Sequence, residues 1–159
     1  GCSDKLRANM MEDMGLPRGT RAPGYQAQHL IPGQLSDHPA MRAAGSDIDG
    51  AGNGMFLPDR GANSASNADR VSPLTRHQGS HPGYNQAVEA ALDRIDLSRG
   101  QQHVASEVAR LQDVLRANQQ AGVPIRSADW VGSVTPGGTA TGTARARAYW
   151  DSILRGAGF

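Results

Sequence analysis

The clearest pattern along the chain is a helical period in its second half, where apolar residues recur at spacings of three and four between charged ones. Two runs share this period: Tyr84, Ala87, Val88, Ala91, Leu92 and Ile95 form the first, and Val104, Val108, Leu111 and Leu115 form the second. Such spacing places apolar side chains on one face of a helix, so it predicts helices over 82–96 and 98–118. Pro82 suits the first turn of one, and Ser98 with Gln101 has the spacing of a capping box at the start of the other.

Shorter apolar segments predict the remaining elements. Segment 25–31 (YQAQHLI) and segment 55–57 (MFL) are short stretches that a proline closes, which is typical of strands. In chain order, the complete prediction is helices over 4–15, 37–44, 82–96, 98–118 and 143–155 and strands over 25–31 and 55–57. The segments 46–54 and 59–80 are expected to be loops, and the Gly- and Thr-rich segment 132–142 is expected to be a flexible linker.

Composition points to one domain with a small core. The chain has 159 residues, the usual size of a single domain, here 1–159. Its hydrophobic share is 38%, its aromatic share is 4% and 20 residues are glycine, so we expect a small core with long loops. The sequence has neither a long apolar run nor a signal-peptide pattern, so no membrane partner is expected. The single cysteine, Cys2, excludes a disulfide framework and a Cys-rich zinc site.

The charge of the chain does not decide between partners. Sixteen basic and fifteen acidic residues give a formal net charge of +1. The basic residues are nearly all arginine, which suits bidentate contact with phosphate, but a coding bias would produce the same excess. The charge balance therefore neither supports nor excludes a nucleic-acid substrate.

Candidate chemistry lies among the histidines, which stand at positions 29, 38, 77, 81 and 103. His77 and His81 flank the start of a predicted helix, and two histidines four residues apart can bind one metal if their segment turns helically. His29, in a predicted strand, could act beside that metal as a general base. The alternative is an ordinary packing role for all three, and a glycine between the pair favours it. His38 and His103 are expected to be ordinary surface residues.

Two further features are interpreted structurally. The segment 47–53 is similar to the start of a calcium-binding loop. In a twelve-residue loop that begins at Asp47, however, the fifth position is Ala51 and the twelfth is Pro58, where such loops carry acidic ligands. We therefore expect a Gly-rich turn before the second strand. Trp130 and Trp150 are expected to pack on the core, and a partner interface is the alternative.

Four separated segments form one ordered pattern: SDKLRANMMEDMG (3–15), YQAQHLIPGQL (25–35), HPAMRAAGSDIDGAGNGMFLP (38–58) and RHQGSHPGYNQAV (76–88). In this order they resemble the AHH family of the HNH (His-Me finger) nucleases. The resemblance covers residues 3–95 and implies an α+β fold with a small ββα-metal core, in which two short strands and a loop precede a helix. Residues 96–159 would then form a C-terminal helical extension.

The resemblance also implies roles for individual residues. His29 matches the general base for the attacking water, and Asn53 matches the residue that fastens the loop so that the base stays oriented. His77 and His81 match metal ligands at the start of the helix. Asn85, one turn beyond His81, would supply another ligand or hold a metal-bound water.

One position departs from the family pattern. The chain has Ala27-Gln28-His29 where the family has Ala-His-His, so Gln28 occupies the position of a metal-binding histidine. The amide oxygen of glutamine suits Mg²⁺ or Mn²⁺ better than Zn²⁺ or Ni²⁺, which stay open as alternatives. Three interpretations of Gln28 stay open. It is a natural ligand variant, or it does not bind the metal, which His77, His81 and waters then hold. In the third, the change inactivates the protein.

Together these features predict a metal-dependent endonuclease that hydrolyses phosphodiester bonds in DNA beside one divalent metal. Arg76, which adjoins His77, is the candidate phosphate clamp. The alternatives are a catalytically inactive module that serves binding or assembly, and a ribonuclease. The resemblance further implies a bacterial toxin domain on a larger secreted effector chain, which continues at the N-terminus, a cognate immunity protein, and delivery by secretion into the cytoplasm of a target cell.

Overall fold

The computed structural model describes residues 2–58, 81–130 and 138–159, which contain helices packed around one pair of strands. In chain order the elements are α1 (Cys2–Asp13), β1 (Tyr25–His29), α2 (Pro39–Ala44), β2 (Gly54–Pro58), α3 (Pro82–Asp93), α4 (Gln101–Gln120) and α5 (Gly138–Gly156). Short 3₁₀ turns lie at Gly33–Leu35, Ala51–Asn53, Leu97–Arg99 and Ser127–Trp130. The α+β fold class expected from the sequence is confirmed.

The strands β1 and β2 form an antiparallel pair whose register places His29 opposite Gly54 and Gln28 opposite Met55. A two-stranded sheet is marginal by itself, so its stability depends on what covers it. On one face α1 packs through the fully buried Leu6. Gly54 permits this contact, because a Cβ there would lie 2.9 Å from Cδ1 of Leu6. The other face belongs to the main core, where Met55 is buried.

The main core lies between the strand pair and helices α2 to α5, all of which contribute buried residues. Helices α3 and α5 approach so closely that a Cβ on Gly83 would lie 2.9 Å from the backbone nitrogen of Arg147. Trp150 of α5 is fully buried and meets the ring of Tyr84 edge-on, with centroids 4.9 Å apart. Trp130 is half-buried, and its indole nitrogen donates to a backbone carbonyl at 3.0 Å. The expected packing on the core is confirmed for Trp150, whereas Trp130 is not among the residues of the main core.

Two local predictions are wrong. Helix α5 begins at Gly138, so the expected linker 132–142 is helical from residue 138 onward. Packing of α5 against α3 outweighs the weak helix propensity of this Gly- and Thr-rich segment. The expected capping box is also wrong, because α4 begins after Gly100, which has no side chain to cap it. Ser98 lies instead in a 3₁₀ turn, where its N–H and hydroxyl both donate to Asp96.

Two of the expected loops are not fully covered by the structure. The segment 59–80 lies outside the described residues, and so do residues 132–137 of the expected linker. Within the described ranges, no helix is both long and apolar enough to cross a membrane.

Candidate active site

His29 is the last residue of β1, and its side chain contacts the loop that precedes β2. The ring is largely buried, with 12% of the side chain exposed, and its Nε2 lies 2.9 Å from Oδ1 of Asp49. The other ring nitrogen, Nδ1, makes no hydrogen bond within the described part of the chain and is not one of its buried unpartnered atoms. One nitrogen is therefore held by a carboxylate, and the other reaches solvent.

Asp49 is a buried carboxylate that α1 contacts from the other side. Nζ of Lys5 lies 3.3 Å from its Oδ2, and the side-chain amide of Asn9 donates to its backbone oxygen at 2.7 Å. Burial would raise the pKa of Asp49, but the hydrogen bonds from His29 and Lys5 outweigh burial and hold this pKa below its usual value. Asp49 is therefore ionised at neutral pH and can only accept hydrogen bonds, so neutral His29 donates to it through Nε2–H.

Asn53 fastens the end of β1 to the loop before β2. Its fully buried side chain accepts the N–H of Ile31 at 2.8 Å and donates to the carbonyls of Ile31 and Ile48, both at 2.9 Å. Its backbone oxygen accepts the N–H of Leu30 at 2.8 Å. Leu30 and Ile31 therefore bond to Asn53 rather than to β2, which is why β1 ends at His29, two residues before its expected end.

His81 lies immediately before α3, where its Nδ1 is 2.8 Å from Oδ1 of Asn85, one helical turn further along. An amide oxygen only accepts hydrogen bonds, so Nδ1 carries the proton in this pair. The His81 ring also meets Tyr84 edge-on, with centroids 6.1 Å apart. Two residues of the first turns of α3 thus contact the His81 ring.

Tyr84 connects α3 to the end of β1. Its hydroxyl donates to the carbonyl of Leu30 at 2.5 Å and accepts from the side-chain amide of Gln119 at 2.8 Å. Complete burial raises the pKa of Tyr84, so it stays a neutral donor. Since Leu30 follows His29, this bond holds the start of α3 beside the candidate base.

Gln28 precedes His29, and its side chain lies on the opposite face of β1, because successive side chains of a strand alternate between its two faces. Its side chain is only 1% exposed, on the face that Met55 shares with the main core. The nitrogen Nε2 of Gln28 is buried and has no hydrogen-bond partner in the part of the chain that the structure describes. Leaving such a group unpaired costs about 1–3 kcal/mol. If the Gln28 amide were rotated by half a turn, its oxygen would take the place of this nitrogen, and an amide oxygen is a suitable ligand for hard cations.

The remaining candidate residues are described only in part. His77 and Arg76 lie outside the described residues. Elsewhere in the described chain, no group of three or more His, Cys, Asp or Glu side chains is placed to hold a metal ion. The metal-ligand candidates that the structure describes are therefore one imidazole, His81, and two amides, Gln28 and Asn85.

His38 is not the ordinary surface residue that the sequence predicts. Its side chain is 9% exposed, and its Nδ1 accepts the N–H of Ala40 at 3.0 Å, which caps α2. Its Nε2 lies 2.7 Å from Asp93 at the end of α3. The sequence did not reveal this role, because Asp93 is 55 positions away along the chain.

Asp49 is the site residue that sequence reasoning missed. The segment 47–53 does form a turn before β2, as expected, but the turn also carries the carboxylate partner of His29. A usable signal was present, because Asp49 lies four residues before Asn53, the residue expected to fasten this loop beside the base. A carboxylate in a loop held there has a short path to the imidazole.

Comparison with known proteins assigns the chain to a family. A family model described as a nuclease family of the HNH/ENDO VII superfamily with conserved AHH matches residues 9–117, from within α1 to late in α4. This range begins and ends later than the 3–95 of the sequence resemblance. No curated protein and no solved structure matches the chain. Since the matched range is more than half of its length, the chain belongs to the AHH nuclease family of the HNH/ENDO VII superfamily.

Proposed function

We propose that this chain is a metal-dependent endonuclease that hydrolyses phosphodiester bonds in DNA, with His29 as the general base. The observation that carries the proposal is the state of the His29 ring, whose Nε2 is held by Asp49 while Nδ1 reaches solvent. A general base needs an unprotonated atom within reach of the water that it activates, and Nδ1 has this property. Membership of a nuclease family supplies the class of reaction.

In the proposed reaction, Nδ1 of His29 takes a proton from water while the water oxygen attacks phosphorus in line with the leaving 3′ oxygen. The bond from phosphorus to that oxygen breaks, and the oxygen gains a proton from solvent, so hydrolysis yields a phosphate monoester and an alcohol. Ionised Asp49 stabilises the imidazolium through Nε2–H. The hydrogen bonds of Asn53 keep the end of β1 in place while charge develops on the ring.

The proposal includes one divalent metal, with Mg²⁺ or Mn²⁺ favoured and Zn²⁺ or Ni²⁺ as alternatives. When bound, the metal would stabilise negative charge on the phosphate and on the leaving oxygen. His81 fits a ligand role, because its Nδ1–H is directed at Asn85 and the lone pair is then on Nε2. Gln28 fits through its amide oxygen, since its buried amide nitrogen lacks a partner. Asn85 then orients His81 and need not bind the metal itself.

Two residues keep the roles that the family resemblance implies. His77 is proposed as a second imidazole ligand, and Arg76 as a phosphate clamp. The net charge of only +1 means that substrate binding in this proposal depends on local arginines and on the metal, because counterion release from a uniformly basic face is not available.

Cleavage of supercoiled plasmid DNA in Mg²⁺ or Mn²⁺ tests the proposal, with a structured RNA assayed in parallel. We expect nicking that EDTA abolishes, and His29→Ala should lower the rate by about 10²–10⁴-fold, the usual contribution of a general base. His103→Ala, which removes a half-buried imidazole on α4, is the matched control and should cleave at the parent rate. Equal rates for His29→Ala and the parent would overturn the role of His29. Faster cleavage of RNA would make RNA the substrate.

One observation favours a second candidate function, a catalytically inactive module that serves binding or assembly. Gln28 stands where the family has a histidine, and its buried amide is incompletely hydrogen bonded. The variant Gln28→His separates the two candidates. If the parent does not cleave DNA, and Gln28→His binds metal more tightly and cleaves, the inactive module is supported. A parent that cleaves as fast as Gln28→His supports a natural ligand variant.

In this proposal the nuclease acts as a toxin domain on a larger secreted effector, with a cognate immunity protein as its partner and the cytoplasm of a target cell as its place of action. The support for this setting is the family resemblance alone. Induced expression in a bacterial host tests it, since the parent should arrest growth and His29→Ala should not. Normal growth with an active parent would contradict the toxin role.

A further inference from the structure

The two carboxylate oxygens of Asp49 are divided between two donors of different kinds. Oδ1 lies 2.9 Å from Nε2 of His29, and Oδ2 lies 3.3 Å from Nζ of Lys5. The backbone of Asp49 is fixed separately, because its N–H donates to Asp47 at 2.9 Å and its carbonyl accepts from Asn9 at 2.7 Å. The side chain at position 49 can therefore be changed while the backbone contacts of the loop are kept.

We propose that Asp49 is a positioning residue, oriented by Lys5, that keeps the proton of neutral His29 on Nε2 and so leaves Nδ1 to accept the proton from water. The role of Nδ1 rests on the proposed nuclease function, whereas the place of the proton is a property of the resting protein. An ionised carboxylate has only lone pairs to offer, so the imidazole beside it must be the donor. Burial of both side chains limits the water that would compete for this bond.

Lys5 makes the substitution Asp49→Asn informative. An ammonium group only donates hydrogen bonds, so Lys5 would pair with the amide oxygen introduced at position 49. The amide nitrogen would then take the place of Oδ1 and donate to Nε2 of His29. Nε2 would have to accept, which moves the imidazole proton to Nδ1. The base would be blocked at the atom that reaches solvent, although the hydrogen bond between positions 29 and 49 would persist.

Imidazole ¹⁵N chemical shifts of the folded protein at neutral pH test this inference without any substrate. The His29 signals are those that His29→Ala removes. We expect a protonated Nε2 in the parent, a protonated Nδ1 in Asp49→Asn, and a return to protonated Nε2 in the double variant Lys5→Met/Asp49→Asn, whose amide is free to turn. A parent with the proton on Nδ1, or an Asp49→Asn variant with the tautomer of the parent, would overturn the inference.

Plasmid cleavage supplies the second readout. Asp49→Asn should lower kcat by about 10²–10⁴-fold with little change in KM, because it affects proton transfer rather than substrate contact. The double variant with Lys5→Met should recover part of this loss, and a double variant no faster than Asp49→Asn would overturn the role of Lys5.

The matched control is Asp93→Asn, which makes the same chemical change in the carboxylate 2.7 Å from Nε2 of His38. This control should cleave at the parent rate. Parent-like cleavage by Asp49→Asn would overturn the inference about Asp49. A parent that shows the expected tautomer but never cleaves nucleic acid would overturn the proposed function and leave the proton placement standing.

Discussion

Replacing Asn53 with alanine removes four hydrogen bonds of its buried side chain at once, with the N–H and carbonyl of Ile31, the carbonyl of Ile48 and the side-chain amide of Gln112. A typical hydrogen bond contributes about 0.5–1.5 kcal/mol net, so four are worth about 2–6 kcal/mol. The groups left behind are buried away from water, which places the expected loss toward the upper end of this range. Such a loss is a large part of the stability of an ordinary domain, about 5–15 kcal/mol.

Urea unfolding measures this loss through the fluorescence of the fully buried Trp150. We expect Asn53→Ala to lower the urea midpoint with an unchanged slope, and to slow plasmid cleavage, because the end of β1 that carries His29 loses its anchor. Asn118→Ala is the matched control. The Asn118 amide makes one hydrogen bond to Val114 in its own helix at 2.8 Å, so its loss should cost at most about 1 kcal/mol.

The isosteric change Asn53→Asp separates hydrogen bonding from shape. A carboxylate can still accept the N–H of Ile31, but it faces two carbonyl oxygens where the amide of Asn53 donates. At neutral pH we therefore expect Asn53→Asp to be at least as destabilising as Asn53→Ala. Burial raises the folded-state pKa of the new carboxyl, so stability should be regained as the pH falls and the group takes up a proton. A parent-like urea midpoint for either variant would refute this reasoning.

Three further substitutions test separate contacts. Tyr84→Phe removes the hydroxyl that joins the end of β1 to α4, so we expect a loss of about 1–3 kcal/mol in urea unfolding and slower cleavage. Gly83→Ala places a Cβ against the backbone of α5 and should cost about 1–3 kcal/mol, whereas Gly52→Ala, with nothing within 4 Å, should leave the urea midpoint unchanged. Hydrogen bonds from Arg94 and Arg155 lower the pKa of Asp151 below its ordinary value of 3.8. The ion pairs of Asp151 therefore stabilise the fold fully above pH 3.8, and this contribution is lost as the pH falls through the lowered pKa. Asp151→Asn should remove that part of the acid dependence of thermal unfolding, and an unchanged acid profile would contradict it.

The helices with a sustained apolar period were predictable from the sequence, because local spacing alone decides which face becomes apolar. Thus α3 and α4 lie within a few residues of the predicted 82–96 and 98–118. The start of α5 at Gly138 was not predictable, although the part of α5 that approaches Gly83 of α3 most closely, near Arg147, lies within the predicted helix. Local composition favoured a linker at this start.

The candidate site divides in the same way. The sequence indicated His29 as a histidine in a short predicted strand, and the family resemblance indicated both His29 and Asn53. For Asp49 the local signal was only its place four residues before Asn53, because the contacts that hold this carboxylate beside the base come from α1. Asn9 is 40 positions before Asp49, and no local pattern records that two such segments meet.

The contacts that hold the base extend beyond the residues that match the family. The family match covers residues 9–117. Lys5 precedes this range, yet it contacts Asp49, the carboxylate that holds His29. After it, Trp150 is fully buried against Tyr84. Because Tyr84 fastens the end of β1, packing of α5 behind Tyr84 also supports the position of His29. The segments on both sides of the match therefore act on the base indirectly, Lys5 through Asp49 and Trp150 through Tyr84. Changes in α1 or α5 can alter the geometry at His29 without touching the conserved motif.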